Sequence, residues 1–114
     1  MNGINALPAY DDGLSGQGVT VAVVDTGIDI DNIDLIANID ARSTNIATGN
    51  FTDRNDIDGH GTEVAGIIAA MRNSVGTHGV AFNASILSLR TDDPGSCADE
   101  CEFFDHVIAD AVDF

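Results

Sequence analysis

Gly18-Val19-Thr20-Val21-Ala22-Val23-Val24-Asp25 decides the fold: β-branched and small apolar residues, interrupted only by Thr20, end on a carboxylate. A segment that is apolar on both faces of a two-residue period reads as a strand, 19–24, central in a parallel sheet and covered on both sides. Downstream, Asp58-Gly59-His60-Gly61-Thr62-Glu63-Val64-Ala65-Gly66-Ile67-Ile68-Ala69-Ala70 places a lone histidine between glycines where an apolar helix begins. Val64, Ile67, Ile68 and Met71 follow helical spacing, which predicts a helix over 61–71, and the small residues between them permit close packing. A second buried strand is expected over 85–90, with Ile86, Leu87 and Leu89. An amphipathic helix is expected over 105–114, with Val107, Ile108, Ala111 and Val112. Residues 4–17 read as a short helix or turn ending in a loop, 35–39 as a further strand, and 48–58 as a polar loop. Strand, helix, strand, helix implies an α/β fold with right-handed crossovers.

Composition narrows the function. With 114 residues and 44% apolar content the chain is globular in character. Nineteen acidic residues face four arginines and no lysine, for a net charge of −15, which repels nucleic acid and anionic membranes and suits a solvated acidic surface or cation binding. No apolar run reaches the length of a membrane span, and Met1-Asn2-Gly3-Ile4-Asn5 has neither the basic start nor the apolar core of a secretory leader. Cys97 and Cys101 lie four apart in an acidic turn that begins at Pro94. Too few ligands accompany them for zinc, which leaves a local disulfide, implying an oxidising compartment, or a free thiol pair.

Asp25 and His60 suit two roles in acyl transfer. An imidazole takes the proton of a hydroxyl nucleophile, and a carboxylate fixes its tautomer and stabilises its charged form. Asp25 would sit at a strand's carboxyl end, where open α/β sheets place their sites. Taken singly, a histidine at a helix start is also a common cap, and an aspartate after a strand a common turn former. The blocks Val-Ala-Val-Val-Asp-Thr-Gly-Ile-Asp (21–29) and His-Gly-Thr-Glu-Val-Ala-Gly (60–66) resemble the aspartate and histidine motifs of the subtilisin-like serine proteases, in the family's chain order. The likeness continues through Gly76-Thr77-His78-Gly79-Val80-Ala81 and covers nearly everything from Gly16.

The resemblance implies the N-terminal part, 1–114, of a three-layer subtilisin-like peptidase domain with a mainly parallel sheet. Asp25 and His60 would be catalytic, and peptides or proteins the substrate. None of Ser15, Ser43, Ser74, Ser85, Ser88 or Ser96 has the family's nucleophile setting, so the serine and the oxyanion asparagine are expected after Phe114, and the 114 residues alone are expected to be inactive. The same resemblance implies no cofactor for catalysis, but a structural calcium site from Asp34, the Asn73 side chain and the carbonyls of Val75 and Thr77. It also implies a secreted or cell-envelope parent, and a role for 93–104 on the non-primed side of the peptide cleft, where the acidic loop would favour basic or extended peptides. Phe103 and Phe104 read equally as core anchors, and His78 and His106 as surface or packing residues. Glu63 replaces a second histidine common in the family, and Ala81-Phe82 replaces a common Ala-Pro. An EF-hand reading of 54–65 fails because Arg54 and Ala65 stand at ligand positions. A receiver-like phosphoacceptor, with Asp25 and Asp11 or Asp12 on magnesium, leaves His60-Gly61-Thr62 unexplained and lacks a lysine. A catalytically inactive relative is the remaining alternative.

Overall fold

The computed structural model describes residues 4–93 and 95–114. Met1, Asn2 and Gly3, on which the reading of the N-terminus partly rests, and Pro94, which opens the cysteine turn, lie outside them. In chain order the elements are helix α1 (Leu7–Asp11), strand β1 (Thr20–Asp25), a 3-10 turn (Ile36–Asn38), strand β2 (Thr44–Asn45), helix α2 (His60–Ala69), strand β3 (Ser85–Arg90) and helix α3 (Asp105–Asp113). All strand pairing is parallel, in the order β1-β3-β2. The register sets Thr20 opposite Ser85 and Asp25 opposite Arg90, so the carboxyl ends of β1 and β3 are level.

The core is the layer between the sheet and α2. Val23, Ile28, Leu35 and Ile86 are buried there with Ala65, Ala69, Ala70 and Ala84, and Val21, Ile30, Ile39, Val64, Ile68 and Ala81 pack around them. Such burial stabilises by about 25 cal/mol per Å2 of apolar surface removed from water. The C-terminal turn of α2 is closed by the following loop: the N–H groups of Gly79, Val80 and Ala81 donate to the carbonyls of Ala70, Ile67 and Ile68 at 2.8–3.0 Å. These bonds satisfy carbonyls that a helix end otherwise leaves open.

Three expectations change, and one strand was not foreseen. β3, not β1, is the central strand among the described residues, and the β1 face bearing Thr20 and Ala22 is exposed. Residues 35–39 form a 3-10 turn rather than a strand. Asn32 captures the N–H groups of Leu35 and Ile36 through its carbonyl and that of Asp34 through its side chain, leaving only Ile39 to bridge Ile86. Strand β2, two residues long, had no signal of its own. The buried seam of α2 is Gly61, Ala65 and Ala69, while Ile67 is 70% exposed. The small residues face the sheet because they let the helix approach it closely.

Candidate active site

Asp25 ends β1 and is buried. Its backbone carbonyl accepts from the N–H of Thr91, and its Oδ1 accepts from the N–H of Thr26 at 2.7 Å, which orients the carboxylate. His60 is the first residue of α2. Its Nδ1 lies 2.8 Å from Oδ1 and 3.0 Å from Oδ2 of Asp25, so the turn after β1 and the start of α2 meet at this contact. A carboxylate only accepts, so the imidazole carries its proton on Nδ1 and leaves Nε2 with a lone pair. Nε2 has no hydrogen-bond partner among the described residues, and the side chain is 49% exposed.

The hydrogen bond and charge of Asp25 raise the His60 pKa above its usual value; slight burial opposes this, and Glu63 and Asp56 add to it. The positive end of α2 acts in the other direction. The carboxylate in direct contact wins because its interaction is charge-assisted and short.

The helix can reach Asp25 because position 61 has no side chain. A Cβ at Gly61 would stand 2.3 Å from the carbonyl oxygen of Gly27 and 3.2 Å from the Cβ of Asp25. Three polar groups, buried Thr26 and Arg90 and half-buried Asp56, flank the pair and were not singled out from the sequence. Thr26 accepts the N–H of Gly61 at 2.8 Å and donates to Asp56, which receives the N–H of Thr62. Arg90, 1% exposed, donates through Nε to Asp92 at 2.7 Å and through Nη1 to the carbonyl of Asn55 at 2.7 Å, tying β3 to the loop before α2. Burial pushes the Asp92 carboxyl up despite Arg90. An aspartate three residues before a Gly-His helix start was the available signal for a cap at Asp56. Nothing local marks Arg90 as buried.

The other expected residues fall elsewhere. Asp34 is wrapped by the loop after α2: its Oδ1 accepts from the Asn73 amide at 3.2 Å and its Oδ2 from the Thr77 N–H at 3.3 Å, while Asn73 Oδ1 accepts from the Val75 N–H. At Gly76, with φ +54, a Cβ would lie 2.1 Å from Asp34 Oδ2. Among the described residues no three of His, Cys, Asp or Glu gather as a metal cluster. Cys97 and Cys101 are joined by a disulfide, and the Gly95 N–H donates to Asp58 Oδ2 at 3.3 Å, which brings this loop to the residues preceding His60. A cavity of about 690 Å3 lies there, walled by Asp93, Glu102, Phe103 and Phe104 among others. His78 packs with Tyr10 and Phe82, and the rings of Phe104 and His106 lie 5.8 Å apart. None of the described serines hydrogen-bonds to His60.

A family model described as the subtilase family matches residues 16–112. The chain is 41% identical over 97 residues to the Aeromonas extracellular serine protease of Aeromonas sobria, covering 83% of this chain and 16% of that protein. It is 44% identical over 91 residues to an intracellular serine protease of Paenibacillus polymyxa, covering 73% and 26%. The fold superposes on a solved protease structure from Pseudoalteromonas arctica with a TM-score of 0.76 at 30% identity, covering 94% of this chain and 37% of that one. The chain therefore spans about a quarter or less of the curated relatives named here.

Proposed function

The chain belongs to the subtilase family, and on that premise we propose that it is the N-terminal part of a serine endopeptidase domain, in which Asp25 and His60 are two members of an Asp-His-Ser triad. The observation that carries the reading is the contact of His60 Nδ1 with the Asp25 carboxylate at 2.8 and 3.0 Å, with Nε2 left open. Nε2 would take the proton of the serine hydroxyl as it attacks the scissile carbonyl, then give that proton to the leaving amine. Asp25 would remain ionised, holding the proton on Nδ1 and stabilising the imidazolium. Replacing such a carboxylate by an amide costs about 10^4 in kcat, because the wrong tautomer is then favoured. The nucleophile and the oxyanion asparagine would come from outside the 114 residues, so the chain alone is expected to be without activity; loss of the nucleophile costs about a millionfold in turnover.

Peptides and proteins are the proposed substrates. The loop carrying the disulfide would border the non-primed side of the cleft, its acidic residues favouring basic or extended peptides. The disulfide favours an exported parent, and among the described residues no helix is long and apolar enough to cross a membrane. A structural calcium is part of the same proposal, held by Asp34, the Asn73 side chain and the carbonyls of Val75 and Thr77. Such an ion would have to displace the donors that Asp34 and the Asn73 oxygen now accept from, the Asn73 amide and the N–H groups of Thr77 and Val75. That ion would supply loop stability and no catalytic step.

The test is hydrolysis of a peptide library by the parent protein and by its His60→Ala and Asp25→Asn variants, with an active-site-directed phosphonate to label the serine. Loss of turnover in both variants, with labelling that depends on His60, is expected. An undiminished His60→Ala enzyme, or substantial hydrolysis by the purified 114 residues, would sink the assignment.

A further inference from the structure

We propose that Asp56 is a positioning residue for the Asp25–His60 pair, gathering on its two carboxylate oxygens one thread from the turn after β1 and one from the first turn of α2. Oδ1 accepts from the Thr26 hydroxyl at 2.9 Å and from the N–H groups of Asp58 and Gly59 at 3.1 and 2.8 Å. Oδ2 accepts from the N–H of Thr62 at 2.8 Å and from its hydroxyl. Each threonine hydroxyl, having donated to Asp56, accepts a backbone N–H from the other side of the contact. Thr26, in the turn, takes the N–H of Gly61 in the helix at 2.8 Å. Thr62, in the helix, takes the N–H of Asp29 beyond the turn at 2.9 Å. The turn thus holds the helix, the helix holds the turn, and both threads end on one carboxylate.

The direction of each thread is forced. An ionised carboxylate can only accept, so both hydroxyls must point their protons at Asp56 and turn lone pairs to the two N–H groups. An amide at position 56 would offer one acceptor and one donor, and one thread would meet an N–H where it needs an oxygen. The anchoring points make this matter for the imidazole: Thr26 follows Asp25 and Gly61 follows His60, so one thread is fixed a single residue from each member of the pair. Asp56 is itself held, since its N–H donates to the Ile28 carbonyl and the neighbouring Asn55 carbonyl accepts from buried Arg90. Burial alone would raise the Asp56 carboxyl, but the hydrogen bonds from Thr62, Gly59 and Thr26 together bring it below its usual value, so it stays ionised through the neutral range.

The inference builds on the roles proposed for Asp25 and His60, but its readout is the protonation of the imidazole, so its failure and a failure of that reading are separable. The full 114-residue chain, labelled with 15N and 13C, would have its His60 ring titrated by NMR beside the Thr26→Val, Thr26→Ser and Asp56→Asn variants. The charged groups acting on His60 are Asp25, Glu63 and Asp56, and Thr26→Val leaves all three in place. With the thread cut, the expected result is a proton dissociation constant for His60 raised about threefold or more, a weakened downfield Nδ1–H signal, and restoration of both in Thr26→Ser. Asp56→Asn is expected to shift the titration further in the same direction. If it unfolds the chain, the Thr26 pair decides alone. A Thr26→Val chain with a folded backbone spectrum and a wild-type His60 titration would overturn the proposal and leave Asp56 as a helix cap.

Discussion

His60 answers to Asp25 more than to the helix it begins. Its proton affinity in the folded chain is raised above the ordinary value of 6.5 by the Asp25 hydrogen bond first and the Asp25 charge second. The stabilisation carried by the charged pair is therefore fully present below about pH 6.5 and is lost as pH rises through the raised value. Asp25→Asn is expected to move the His60 titration to lower pH, and to carry the acid limb of kcat/KM with it in an active parent. An NMR titration that superimposes on the wild type would remove Asp25 from the account. Both residues were legible in the sequence because the blocks 21–29 and 60–66 resemble a family's two motifs; taken singly, an aspartate after a strand and a histidine at a helix start are common turn and cap residues. For Asp56 the sequence offered only a helix-cap signal, and its link to Thr26, thirty residues away, appears only in the fold.

Between elements, two contacts carry the geometry. The seam of α2 runs closest to the turn after β1 at Gly61, where an added methyl would overlap the Gly27 carbonyl. Gly61→Ala is expected to destabilise by about 1–3 kcal/mol, as overpacking does, and to loosen the Asp25–His60 contact. A denaturant midpoint equal to the wild type would refute the close approach. The second contact is Arg90, which joins β3 to the 53–55 loop and neutralises Asp92. Arg90→Met would leave the Asp92 carboxylate buried and unpaired, at a cost of about 3–5 kcal/mol. The loss should be smaller at pH 5 than at pH 8, because burial already pushes that carboxyl up, so protonation can relieve the unpaired charge as pH falls. Adding Asp92→Leu should recover most of the stability; a double variant as unstable as the single would argue against an isolated pair. Strands β1 and β3 and helices α2 and α3 were readable from periodicity, whereas β2 and the turn at 36–38 were not. The seam was not, because Val64, Ile67 and Ile68 dominate the apolar pattern while glycine and alanine make the contact.

Across the whole molecule, nineteen acidic residues face four arginines for a net charge of −15, and each arginine is occupied close to home. Arg42 pairs with Asp40, Arg54 donates to the Ser43 carbonyl, Arg72 lies over Phe82, and Arg90 is buried. Repulsion therefore opposes association at low salt, while exposed Ile67, Val112 and Phe114 favour it. Light scattering is expected to show self-association of the 114-residue chain that increases between low and about 1 M salt, as screening shortens to a few ångströms. Salt-independent monomers would show that these side chains are harmless where they stand. By itself, the sequence determined the α/β class and the parallel character of the sheet, and its resemblance to a known family singled out the candidate pair Asp25 and His60, because local periodicity and motif spacing are properties of a chain segment. Tertiary structure alone decided that β3 is the central strand, that 35–39 turns instead of extending, that Arg90 and Asp92 are buried, and that Asp56 joins two threonines. Each of these depends on which distant groups arrive within hydrogen-bonding or packing distance, and no single segment encodes that.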